Sequence, residues 1–215
     1  MQRSTVTELI QRRVSLSVAF LGRALASLTS SRSGSRGDGS GPTGAGRHFE
    51  QSVQATSGDE LNVDIQTGGA VHVQGWDQDA VRVQAQLNLT GWRETQVSVE
   101  QAPGGVHLLS RKIADSIFKG PFNHTFKIWA PRRYNVRLNS AGGQLTISDM
   151  EGTFRGFSAG GRIALKRARG HAELTTRKGE IQVIDSSLTG SIVTENGPVR
   201  LWHVGGDLHA SSHRK

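Results

Sequence analysis

The chain has no cysteine, and that absence removes disulfides, thiolate metal sites and thiol nucleophiles together. Aromatic side chains are scarce: seven Phe, four Trp and one Tyr in 215 residues. Proline occurs five times. A hydrophobic share of 35% makes a thin core, yet with 20% charged residues the composition stays on the folded side of the boundary with disorder. No stretch approaches the ~18 uninterrupted apolar residues that a membrane-spanning helix needs. Glycine is the opposite case, with 27 residues, and its placement organises the chain. The length fits one domain with a tail.

The net charge of +8 invites a nucleic-acid or anionic-surface reading, so its location decides. Residues 1–47 carry seven arginines against Glu8 and Asp38, a net of 7 − 2 = +5. The other 168 residues carry 19 basic and 16 acidic side chains, leaving +3. A phosphate-tracking groove needs its basic footprint on the folded part. Most of the excess lies in the leader instead, which argues against nucleic acid as the partner of the folded domain.

Residues 1–26 have the layout of an export signal. Arg12-Arg13 precedes a short apolar run from Val14 to Gly22, and Ala24-Leu25-Ala26 offers small residues at a cleavage site. Two serines dilute the run and Arg23 follows it, features shared with amphipathic tails and Arg- and Ser-rich transit segments. Both readings stay open. Residues 27–47 read as a flexible linker, with 12 Gly or Ser in 21 positions and Pro42 as the one stiff element. Arg36-Gly37-Asp38 lies in this linker, whose own composition produces such a tripeptide by chance.

The informative feature lies further on. Gly143, Gly161, Gly179 and Gly197 are spaced 18 residues apart. Two residues after each comes an apolar side chain (Leu145, Ile163, Ile181, Val199), and two later another (Ile147, Leu165, Val183, Leu201). Each unit thus opens with a glycine turn and a half-buried strand. A second glycine follows at Gly152 and Gly170, slips to Gly190 and returns at Gly206. A second short strand then ends in a small hydroxyl residue: Ser158, Thr176, Thr194, Ser212. Short strands between glycine turns at a fixed period predict an all-β, single-chain β-solenoid, β-helix-like, with 18-residue coils. Its expected extent is 48–215, irregular over 48–138 and regular over 139–215, with no substantial helix outside the leader.

Stacking at one coil per 18 residues sets i beside i+18. The resulting columns are Glu151–Arg169, Asp149–Arg167–Asp185, Arg155–Glu173, Arg162–Glu180 and Arg177–Glu195, every one of opposite sign. The cluster Arg162, Lys166, Arg167, Arg169 resembles a polyanion patch along the sequence, but stacked, three of its four charges meet carboxylates. Upstream, Thr67–Trp76 repeats the glycine–apolar–apolar unit, and alternating runs follow at 81–85, 97–99, 106–108 and 126–128. Ser110 to Asn123 fits no strand and is expected as a surface loop.

The block from Asn139 to Gly152 with its successors resembles the putative-adhesin repeat domains of bacteria, as does the run Ile128–Pro131 leading into Val136–Leu138. The likeness covers about residues 48–212. It implies a β-solenoid, often in exported or envelope-associated bacterial proteins, and binding rather than catalysis. It supplies no catalytic residues to carry over. The next glycine of the repeat would fall at position 215, which is Lys215.

Catalysis in a β-helix requires carboxylates converging on one groove. Asp149 and Asp185 share a column but with Arg167 between them, Asp77 and Asp79 follow Trp76 in a turn, and Asp64 stands alone. His203, His209 and His213 are too far apart along strands, ~20 and ~13 Å, for one metal ion. No catalytic, cofactor or metal site is therefore expected. Trp76, Trp92, Trp129 and Trp202 are able to stack on sugars, and Trp202, outward after Leu201, is the candidate ligand contact. The expected function is a non-enzymatic, envelope-associated binding or scaffold module whose ligand is a protein or a glycan. The alternative is an intracellular scaffold whose basic tail contacts membrane or acidic partners, and a carbohydrate-active enzyme comes third. The final coil, Gly206 to Lys215, lacks a polar cap, so its edge is expected to self-associate or accept a partner strand.

Overall fold

The computed structural model describes residues 47–88, 91–113 and 122–213. The leader (1–26), all of the linker but Arg47, and Lys215 lie outside them. Among the described residues the chain is all-β, with one three-residue helical turn at Trp92–Glu94. No helix there is long and apolar enough to cross a membrane.

Seven strands precede the regular repeats: β1 Arg47–Gln54, β2 Glu60–Ile65, β3 Ala70–Trp76, β4 Ala80–Leu87, β5 Thr95–Ala102, β6 Gly105–Lys112 and β7 Thr125–Pro131. Eight follow: β8 Asn135–Ser140, β9 Leu145–Ser148, β10 Glu151–Ser158, β11 Ile163–Lys166, β12 Arg169–Thr176, β13 Ile181–Thr194, β14 Val199–Gly205 and β15 Leu208–Ser212. All fifteen join one sheet in the order β1-β4-β7-β3-β9-β11-β13-β12-β10-β8-β2-β6-β5, with β14 and β15 also on β13.

This ribbon doubles back at β13. The first residues of that strand pair with β11 and the later ones with β12, so the two runs of strands face each other across the core. At the far end the ribbon nearly closes, where Gln51 of β1 donates its side-chain amide to the Val99 carbonyl of β5 at 2.9 Å. The result is a nearly closed, barrel-like sheet. It differs from the uniform coil stack expected over 48–215, because β1–β4, β4–β7 and β5–β6 pair antiparallel.

From β8 onward every pairing is parallel. On one side Glu151 lies opposite Arg169 and Arg169 opposite Ser187. On the other, Leu145, Ile163, Ile181 and Val199 follow one another across neighbouring strands. The offset is the 18 residues read from the glycines. The regular pairing begins at Val136 of β8 on β10, slightly before residue 139. Inward positions alternate with outward ones, and Leu61, Val63, Val73, Leu165, Ile181 and Val183 are wholly buried.

The layer below the first regular coil is supplied by β2 and β3: Leu61 lies beside Val136 and Val71 beside Leu145. Beneath these lie β6 and β7, with Val106 beside Leu61 and Phe126 beside Val71. Spatial order and chain order therefore differ. The layer 105–131 lies below 60–76, and the chain then jumps over that layer to continue at 135.

Two sequence expectations need correction. Ser110 is not in a surface loop: it belongs to β6, is fully buried, and shares a 2.7 Å hydrogen bond with Thr67. Phe122 is buried as well, while 114–121 lie outside the described residues. The second glycine does not merely slip to Gly190. Leu188 takes the position beside Gly170, inside a strand that runs straight through 181–194.

Candidate functional site

The structure places Gly143, Gly161, Gly179 and Gly197 in one column headed by Gly69. A Cβ on Gly143 would lie 2.0 Å from the Gly69 carbonyl oxygen, and one on Gly161 2.1 Å from that of Gly143. Gly179 and Gly197 repeat the approach at 2.2 and 2.1 Å. Backbone stacks directly on backbone there, which no side chain permits. Beside the column, the hydroxyls of Ser140, Ser158 and Thr176 donate to the carbonyls of Gly142, Gly160 and Lys178, closing each turn. These features hold the coils in register and so present flat outer rows of side chains.

One such row crosses six adjacent strands: Trp129, Gln74, Ser148, Lys166, Ile184 and Trp202 lie side by side in register. Two residues along the strands a second row runs Gln84, Lys127, His72, Thr146, Ala164, Gln182 and Arg200. Where the rows cross β7, β3 and β9, His72, Gln74, Lys127, Trp129, Thr146 and Ser148 line an open groove of about 320 Å³. Trp129 is held in place there. Its ring centre is 6.4 Å from that of Trp76, whose indole N–H donates to the Ala80 carbonyl at 2.8 Å, and the Arg82 guanidinium lies 5.8 Å away. At the other end of the row Trp202 is 43% exposed.

The acids bordering this face are already engaged. Glu50 accepts from Arg82 and Gln84, and the Arg82 guanidinium holds its carboxyl below the usual range. Glu180 lies 3.1 Å from both Arg162 and Arg200. Lys127 and Lys166 make no ion pair with any described residue. They flank His72, whose pKa is lowered first by burial and then by these two ammonium groups. At neutral pH the groove thus combines a neutral imidazole, amides, hydroxyls, an indole and two available cations.

A second groove of about 340 Å³ lies at a corner of the stack, lined by Arg132, Asp149, Met150, Glu151, Arg167, Arg169 and Asp185. Its charges alternate and satisfy one another. Arg132 donates to Asp77 at 2.6 Å, Arg167 donates to Asp149 at 2.6 and 2.8 Å, and Asp185 is 3.0 Å from His203. Asp149, Arg167, Asp185 and His203 all have left-handed backbone, φ 49–59°, and so mark the same bend in four successive coils. Of the charge columns expected, Arg155–Glu173, Arg162–Glu180 and Arg177–Glu195 also lie within ion-pair distance, at 2.9, 3.1 and 4.0 Å. Glu151 faces Arg169 in register without an ion pair. One like-signed contact escaped the sequence reading: Arg137 lies opposite Arg155 and turns to Glu60 at 3.1 Å instead.

The remaining candidates separate. Asp64 accepts from Gln66 and Asn139, and His209 lies 3.8 Å from Asp207. No group of three His, Asp or Glu among the described residues is placed to hold a metal ion. Trp92 packs against the core rather than joining the outer rows. A polar centre absent from the sequence reading is His124, 1% exposed. Its Nδ1 accepts from the Asn88 N–H at 3.3 Å, which leaves the Nε2 proton for the Thr95 hydroxyl at 3.0 Å. Burial pushes its pKa down to about 4. It is a neutral, structural histidine, and nothing in its sequence spacing marks it.

No protein-family model matches the chain, and no curated protein does. Among solved structures, it is similar to a putative cell adhesion protein from Clostridium sporogenes, with 8% identity and a TM-score of 0.35 over 77% of this chain and 100% of that one. A putative lipid binding protein from Parabacteroides distasonis is 11% identical, TM-score 0.31, over 78% and 98% of the two chains. A putative adhesin from Bacteroides fragilis is 10% identical, TM-score 0.29, over 77% and 97%.

Proposed function

We propose that this chain is a non-enzymatic binding module of the cell envelope, in which the coils from 135 onward form a solenoid that acts as a rigid support. The observation that carries this reading is the pair of outer rows. Side chains from six strands are fixed side by side by backbone stacking, with a tryptophan at each end and two cations left available. A surface so ordered recognises a partner without rearranging, which lowers the entropic cost of binding. The signal-like leader and the Gly/Ser linker fit a domain carried outside the cytoplasm on a tether.

Cosedimentation of the full chain with isolated bacterial envelopes tests the reading. Trp202→Ala and Lys166→Glu should each reduce the pelleted fraction several-fold, whereas Arg155→Ala, on the opposite run of strands, should not. Equal binding by all three variants would remove the face from the argument. Sequencing the mature N-terminus after cell fractionation tests the location: a chain found in the cytoplasm with Met1 intact contradicts it.

A further inference from the structure

Resting on that binding face, we infer that its occupant is an acidic polysaccharide of low charge density, lying across the strands from Trp129 to Trp202. The row spans five strand spacings, ~24 Å in all, and is open along its length. Such a surface suits a linear polymer and not an enclosed small molecule.

Its chemistry narrows the class. Between the two indoles lie Gln74, Ser148, Thr146 and Gln182, neutral groups that both donate and accept, as a run of sugar hydroxyls requires. The indoles supply flat apolar faces with a polar edge, suited to stacking on the C–H face of a pyranose ring. Apolar side chains suited to the dry centre of a protein interface are missing, since Ile184 stands alone in the row.

Charge narrows it further. Lys127 and Lys166 are three strand spacings apart, ~15 Å, and both border the groove side of His72. Two cations in that length match carboxylates carried by occasional sugars. A nucleic-acid strand, charged at every nucleotide, would leave most of its phosphates uncompensated here. The other arginines bordering the face, Arg82, Arg162 and Arg200, already hold Glu50 and Glu180.

Calorimetric titration of the full chain with three probes tests this: hyaluronan, in which every second sugar bears a carboxylate; dextran, which bears none; and an oligo-dT strand. Hyaluronan should bind saturably and more tightly than either of the others. The pair Lys127→Gln with Lys166→Gln should weaken hyaluronan about five- to tenfold and leave dextran unchanged. Trp202→Ala, at an exposed site where folding is preserved, should weaken hyaluronan about fivefold. Tighter binding of oligo-dT, or no loss from the lysine pair, overturns the inference. Envelope binding that depends on Trp202 while hyaluronan fails to bind at millimolar concentration overturns the polysaccharide and leaves the face standing. Loss of both removes the reading beneath it.

Discussion

Residues 135–212 and residues 47–131 enclose one core by different means. In the later region each layer repeats the last: parallel pairing at an 18-residue offset, glycine on glycine, hydroxyl beside turn. In the earlier region the layers are singular. Antiparallel strands cover the end of the stack, and a buried His124 ties Asn88 to Thr95 where no repeat can. Repetition spreads specificity over columns of equivalent contacts; the earlier region concentrates it in a few polar groups. The two should fail under different insults.

The largest effect belongs to the glycine column. Gly161→Val forces a Cβ into the Gly143 carbonyl at φ +101° and should cost about 3 kcal/mol or more in urea unfolding. Gly104→Ala, in a turn of the earlier region with equally positive φ but open space, should cost about 1 kcal/mol. Similar costs at the two sites would mean that backbone conformation, and not stacking, selects glycine.

Acid should attack the earlier region first. The folded-state pKa of His124, about 4, lies below its ordinary 6.5, so the unfolded chain binds the proton more readily. Stability is full above pH 6.5 and should fall by about 3 kcal/mol as pH drops to 4. His72 adds a smaller contribution of the same sign. His124→Gln should flatten most of this slope in pH-dependent chemical denaturation, and an unchanged slope would assign it elsewhere. Carboxylates held low by partners, such as Asp149 and Glu173, lose their contribution at lower pH still.

The charge ladder sharpens the comparison more gently. Arg167→Glu sets three acids in one column and should lower the melting temperature measurably, while Lys166→Glu, unpaired, should barely move it. Equal shifts would break the assigned column. The smallest effect is expected at Tyr134, whose buried hydroxyl lacks a partner and whose pKa burial raises to about 12. Tyr134→Phe should change stability by less than about 0.5 kcal/mol, or improve it, because no hydrogen bond is lost.

The repeat was legible because stacking demands the same residue type at the same phase, and Gly143, Gly161 and Gly179 record that demand directly. Trp202 could be placed on the outer row for the same reason. Partner choice in the earlier region was not legible. Alternation in Val81–Ala85 marks a strand but says nothing of whether β1 or β7 lies beside it. Nor does period reveal that Gln74 and Trp129, 55 residues apart in the chain, are neighbours in the binding row. His124 stayed hidden because a buried neutral imidazole is selected by two hydrogen bonds whose partners lie 29 and 36 residues away.

The displaced order of the layers bears on synthesis. As the chain leaves the ribosome, residues 60–76 emerge with neither of their parallel neighbours yet made. The layer below arrives with 105–131 and the layer above with 135–148. Until then two strands with wholly buried inner faces must wait, held only by local contacts, and every later coil depends on the layer that waited. Regular coils add to a completed template one at a time, each needing only the residues just before it. The earlier region must instead close as a unit across some 90 residues, a separation that slows folding. Growth of this protein is therefore set by its least repetitive part.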